Sequence, residues 1–128
     1  MLSWELEDWI TDAGATVVER RFLDKDALTQ QENLLFEIWL LDTEARNGGL
    51  SQYFLNRGTS QWLSCISAAR DGGLSSFAPF ADAVNAIIGS TNDPYEAINS
   101  SGDGAENLWY TYQSSVVTQL MELHRSAL

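Results

Sequence analysis

The chain is expected to fold as an all-α, single-domain bundle of about six helices spanning residues 1–128, with a central apolar helix and a long C-terminal one. Three observations predict this. Apolar residues recur at helical spacing through almost the whole chain, no stretch sustains the alternation of a half-buried strand, and Gly, Asn and Asp punctuate the periodic segments. With 128 residues, 45% of them apolar, and fourteen Trp, Tyr and Phe side chains, there is material for one substantial core.

Leu2, Leu6, Trp9, Ile10, Ala13 and Val17 fall within an arc of about 100°, so Ser3 to about Arg21 reads as an amphipathic helix capped by Ser3 and weakened modestly by Gly14. Thr29-Gln30-Gln31-Glu32 is a capping box that opens the second helix. Leu34, Ile38, Leu41 and Ala45 form its buried seam, and Leu35, Phe36, Trp39 and Leu40 cover its flanks, which marks it as the central helix. It should end at Asn47-Gly48-Gly49. A short helix from Leu50 to Asn56 follows, then one capped by Thr59 or Ser60 and running to Arg70, and one capped by Ser75 or Ser76 and running to Ile88. Pro79 is tolerable in that last helix because it lies in the first turn. Asp93-Pro94 starts a further short helix, and Asn99-Ser100-Ser101-Gly102 ends it in a loop. Asp103 and Glu106 read as a capping pair for the final helix, on which Ala105, Leu108, Trp109, Tyr112, Val116, Leu120, Leu123 and Ala127 share one face. Its opposite face is poor in charge and suits packing on a second subunit.

One heptapeptide pattern recurs: Ala45-Arg46-Asn47-Gly48-Gly49-Leu50-Ser51 and, 24 residues later, Ala69-Arg70-Asp71-Gly72-Gly73-Leu74-Ser75. The likeness fades on both sides, so it is one helix-Gly-Gly-helix connector used twice and not a solenoid repeat.

Eighteen Asp and Glu against seven Lys and Arg give a formal charge of −11. That disfavours direct binding to nucleic acid or an anionic membrane and favours a protein partner with a basic surface, a DNA-binding protein among them. A single Cys allows no internal disulfide, and one Cys with one His cannot build an ordinary Cys/His zinc site, so neither metal nor cofactor is expected. The N-terminal segment is acidic where a signal peptide would be basic, and no apolar run reaches the roughly 18 residues of a membrane span, so a cytoplasmic protein is expected.

Signatures of catalysis are missing: no G-x-S-x-G, no phosphate loop, no G-x-G-x-x-G and no H-E-x-x-H. His124, near the end of the last helix, suits packing or the helix dipole, and Cys65 lies between Leu63 and Ile66 as a small apolar residue would. Asp42 falls between Leu35 and Ile38 on an apolar helix face, which makes it the carboxylate of most interest. A buried Asp there is expected to accept hydrogen bonds from the Gly-Gly turn or from Arg46 or Arg57. The catalytic alternative uses Asp42 or Glu44 in a pocket beside Asn47 and Gln52.

The segment from Asp42 to Asn56 resembles the signature E-[VA]-x-N-G-G-[FL]-x-Q-[FY]-F-x-N of the DNA mimic protein 19 family. Glu44, Ala45, Asn47, Gly48, Gly49, Leu50, Gln52, Tyr53, Phe54 and Asn56 stand at the matching places. The resemblance implies an all-helical domain, with a homodimer as one expected assembly. The family's named member is an acidic protein that imitates DNA and occupies the DNA-binding surface of a helix-turn-helix transcription regulator. Within the motif, Asn47, Gln52 and Asn56 are expected to satisfy backbone groups around the turn, a structural use and not a docking one.

A docking surface has to come from charge. Glu5, Asp8, Asp12 and Glu19 lie within about 60° on one side of the first helix, a row of about 21 Å. Duplex DNA of that length carries about twelve charges, so matching it calls for further acids, Asp24, Asp26, Glu32 and Glu37, or a second subunit. The function expected is a non-catalytic acidic binding domain, as a DNA mimic or alternatively as an immunity-like protein that neutralises a toxin or enzyme, with a carboxylate enzyme as the third class.

Overall fold

A computed structural model describes residues 2–23 and 28–126. Its elements are α1 (Trp4–Leu23), α2 (Gln30–Gly48), α3 (Leu50–Asp71), a 3-10 turn (Ser75–Phe77), α4 (Ala78–Ile88), α5 (Pro94–Ser100), the single turn α6 (Asp103–Glu106) and α7 (Leu108–Ser126). Among the described residues there is no strand, and the architecture is all-α.

The capping chemistry works as the sequence implies at three helix starts. Leu6 N–H bonds the Ser3 hydroxyl, the Thr29–Glu32 box is closed in both directions, and Asp93 accepts from Glu96 N–H ahead of Pro94. Each of these side chains satisfies an amide that the helix itself leaves open.

α2 is central, touching α1, α3 and α7. Leu34, Leu35, Ile38 and Leu41 on it are at most 1% exposed. Gly14 does more than weaken α1: a Cβ there would collide with the Trp39 ring, so its bareness lets α1 lie close against α2. The end of α2 is equally specific. Gly49 takes φ 87°, and its N–H closes on Ala45 C=O before α3 begins at once with Leu50.

Leu50–Asn56 and the segment from Thr59 are two helical stretches within α3, as the sequence implies, separated by a kink at Gly58, where φ is 77° and ψ −178°. Beyond the kink, Trp62 is 1% exposed and sits at the middle of an aromatic chain, edge-on to Phe54 and Phe80 and tilted against Phe77 at 5.6–5.9 Å, with Phe80 in turn 5.0 Å from Trp109. The Trp62 indole N–H donates to Asn85 Oδ1 at 2.9 Å, so the indole is not left as an orphan donor in this apolar region. α3, α4 and α7 are joined through these rings.

Two expected caps are not made. Ser75 and Ser76 do not cap α4. Gln119 of α7 clips the 3-10 turn instead, accepting from Ser76 N–H at 2.8 Å and donating to Ser75 Oγ at 3.0 Å. Asp103 and Glu106 do not cap the last helix either. Asn107 separates α6 from α7, the cap of α6 is Gly102 without a side-chain bond, and Glu106 reaches another helix altogether. α7 therefore runs 19 residues, about 28 Å, and not the 35 Å that an uninterrupted helix from Asp103 would give.

Candidate docking site

The first helix presents the carboxylates as a row. Glu5, Asp8, Asp12 and Glu19 are all exposed. The ion pairs among the described residues, Arg20–Glu32, Arg46–Glu7, Arg46–Asp42 and Arg70–Asp71, use none of the four. Exposed apolar side chains stand at both ends of the row, Trp4 (77% exposed) at one and Phe22 and Leu23 (84% and 80%) at the other. Two of the three had a sequence signal: Trp4 and Phe22 fall on the polar side of the α1 wheel, where a core residue has no place.

Of the added acids, the two that are described, Glu32 and Glu37, do not extend this row. Glu32 is half-buried and already engaged, accepting from Thr29 N–H at 3.1 Å and pairing with Arg20. Partial burial tends to raise its carboxyl, but the Thr29 bonds and Arg20 outweigh that and bring it below the usual carboxylate range. Glu37 is buried, 5% exposed, because its place on α2 turns it toward α3, where it accepts from Gln61 Nε2 at 2.6 Å. Asp24 and Asp26 lie outside the described residues.

The motif residues around the α2–α3 turn are tied inward. Asp42, 2% exposed, receives Trp109 Nε1 at 2.9 Å and Gln113 Nε2 at 2.6 Å on one oxygen and Arg46 at 3.2 Å on the other. Arg46 also pairs with Glu7 at 2.6 Å, so one network joins α1, α2 and α7. Arg46 is thus the expected partner, Arg57 and the glycine turn are not, and the indole and amide from α7 were not expected. Glu44 receives Asn56 Nδ2 at 2.7 Å, which ties α2 to α3 across the turn.

The expectation that Asn47, Gln52 and Asn56 serve the backbone of the turn is corrected here. Asn56 bonds a side chain, Gln52 covers bare Gly48, and Asn47 is exposed beside a groove of about 440 Å³ with Trp39, Asp42 and Arg46. The open amide at the start of α3 is met from far along the chain: Glu106 accepts from Ser51 N–H at 2.7 Å and from Ser51 Oγ at 2.6 Å. Tyr53 and Phe54 are core residues, and Tyr53 stacks edge-on with Phe54 at 5.3 Å.

Cys65 and His124 both sit in packing positions. Cys65 is fully buried, and burial pushes its thiol well above its usual value, with the nearby Glu37 adding to the effect. His124 is half-buried and meets the Trp9 ring edge-on at 5.9 Å, a packing role. Among the described residues no group of three or more His, Cys, Asp or Glu is placed to hold a metal ion, and no helix is long and apolar enough to cross a membrane.

What fold and site define together is an acidic all-α domain built on a helix-Gly-Gly-helix hairpin. The family model for DMP19-like protein matches residues 26–123, and the chain belongs to that family. The match runs from just before α2 into α7 and leaves α1 outside. No curated protein and no solved structure matches the chain.

Proposed function

We propose that the protein is a non-catalytic acidic docking domain that binds the basic face of a DNA-binding protein through α1, in the manner of a DNA mimic. The observation that carries this reading is the row Glu5, Asp8, Asp12 and Glu19, exposed and outside every described ion pair, flanked by exposed Trp4, Phe22 and Leu23. Carboxylates left unpaired on a rigid helix attract a phosphate-binding surface at long range, and aromatic side chains beside them supply the desolvated contact that charge alone lacks. Family membership supports the same class of activity. A binding role also fits Asp42, whose oxygens are taken up by Trp109, Gln113 and Arg46.

Four charges over about 21 Å are about a third of what a duplex carries, so a single α1 imitates only part of a DNA site. A second subunit is the simplest way to extend it. The test is capture from the native lysate on immobilised protein at low salt, followed by elution with duplex DNA. The expected result is a DNA-binding protein that duplex DNA displaces and that is lost as ionic strength rises. Retention that is indifferent to salt and to DNA contradicts mimicry, and recovery of a toxin that DNA cannot displace supports neutralisation in its place.

A further inference from the structure

Away from α1, one buried carboxylate is poorly matched. Glu37 lines a groove of about 530 Å³ between α2 and the second half of α3, together with Arg21, Asn33, Ser64, Ser67 and Asp71. A buried charge costs stability unless hydrogen bonds or a counter-ion compensate it. Asp42 reaches that standard with an indole, an amide and a guanidinium. Among the described residues Glu37 has the Gln61 amide alone as a hydrogen-bond donor. Arg21 acts on it through space, its guanidinium lying over the Phe36 ring at 4.5 Å from the centroid.

On the core side, Glu37 is felt by Tyr53 and Cys65, both buried and both held neutral by burial, so compensation does not come from there. Burial accordingly raises the Glu37 carboxyl above its usual range, with the Gln61 bond and Arg21 opposing. The groove's charged lining is Glu37, Asp71 and Arg21; Asp71 is shared with Arg70 at 3.6 Å, which leaves Glu37 as the lining carboxylate with no ion pair among the described residues. Leu63, 58% exposed, forms part of the wall.

We propose that this groove is a socket for an arginine side chain of the basic partner. Glu37 receives the guanidinium at the floor and Asp71 meets it at the mouth. The side-chain oxygens of Asn33, Ser64 and Ser67 accept its remaining N–H groups, and Leu63 covers the methylene stem. The socket rests on the reading of a basic partner and gives it what the α1 row lacks: a concave site with a buried carboxylate at its floor.

The probe is an arginine capped at both ends, N-acetylarginine amide, titrated into the full chain and followed through the side-chain NH2 signals of Gln61 and Asn33 and the backbone amides of Ser64 and Ser67. Saturable shifts confined to these signals are expected. Glu37→Gln, which keeps an oxygen for Gln61, should weaken binding at least about tenfold with unchanged thermal stability or higher, and the uncharged citrulline analogue should not bind. Non-saturating shifts spread over α1, or equal binding by Glu37→Gln, would overturn the socket. The α1 variant Glu5→Gln/Asp8→Asn/Asp12→Asn/Glu19→Gln separates the two ideas. If it retains the saturable shifts while DNA-displaceable capture fails in every form of the protein, the docking reading falls and the socket stands. If capture is intact and indifferent to Glu37→Gln, the socket falls and the docking reading stands.

Discussion

α1 and the α2–α3 hairpin carry the same chemical group in opposite conditions. On α1, four carboxylates face solvent and enter none of the described ion pairs, whereas Asp42, Glu44, Glu37 and, reaching in from α6, Glu106 each accept a bond from a named donor. A net charge of −11 therefore conceals two uses of acid. In the hairpin, carboxylates serve as acceptors that knit helices together. On α1 they serve as a field. The family match covers the hairpin and not α1, so what the chain shares with its family is the knitted part, and the proposed docking row lies in the part the match leaves out.

The sharpest way to break this contrast is to remove the best-connected acid. Asp42→Ala strands Arg46, the Trp109 indole and the Gln113 amide at once and should cost about 3–5 kcal/mol in urea unfolding, whereas Asp12→Ala on α1 should stay within about 0.5 kcal/mol. Equal costs would erase the distinction. Next in size is Glu106→Ala, which leaves Ser51 N–H and its hydroxyl without their acceptor at the start of α3 and should lose about 1–2 kcal/mol.

Smaller and opposite in sign is Glu37. Its folded carboxyl lies above the ordinary value of 4.5, so the folded state holds the proton more tightly than the unfolded chain. Stability must then fall as pH rises from that value through the raised folded one, and Glu37→Gln should lack this fall and unfold at higher urea at pH 7. Glu32 runs the other way: its lowered carboxyl contributes stability above the ordinary value that is lost as pH falls through the lower folded one. Smallest of all is the fourfold neutralisation of α1, whose unfolding free energy should change by no more than about 0.5 kcal/mol, since the relief of like-charge repulsion is offset by the loss of the Glu5 charge from the first turn.

Much of the fold was legible in the sequence because its signals are local. The Thr29 box, Asp93-Pro94 and Gly49 each act within a few residues, and the apolar wrap of α2 announces a helix with no solvent side. The α1 row was legible for the same reason. Glu106 was misread because a local capping pair and a long-range acceptor look alike in sequence; its partner Ser51 is 55 residues away. Glu37 was misplaced on the surface for a related reason. On a helix buried nearly all round, the wheel cannot say which polar residue faces a neighbour, and Gln61 is 24 residues away. Trp109 and Gln113, one turn apart on α7, were legible as neighbours but not as a pair closing on Asp42.

The central claim is that exposed carboxylates on α1 are for binding and not for solubility. Parallel low-salt columns of the native protein and of Glu5→Gln/Asp8→Asn/Asp12→Asn/Glu19→Gln, matched in thermal stability and each eluted with duplex DNA, test it most directly. A DNA-displaceable protein on the first column and its absence from the second is the predicted result; the same protein eluting equally from both would contradict the claim.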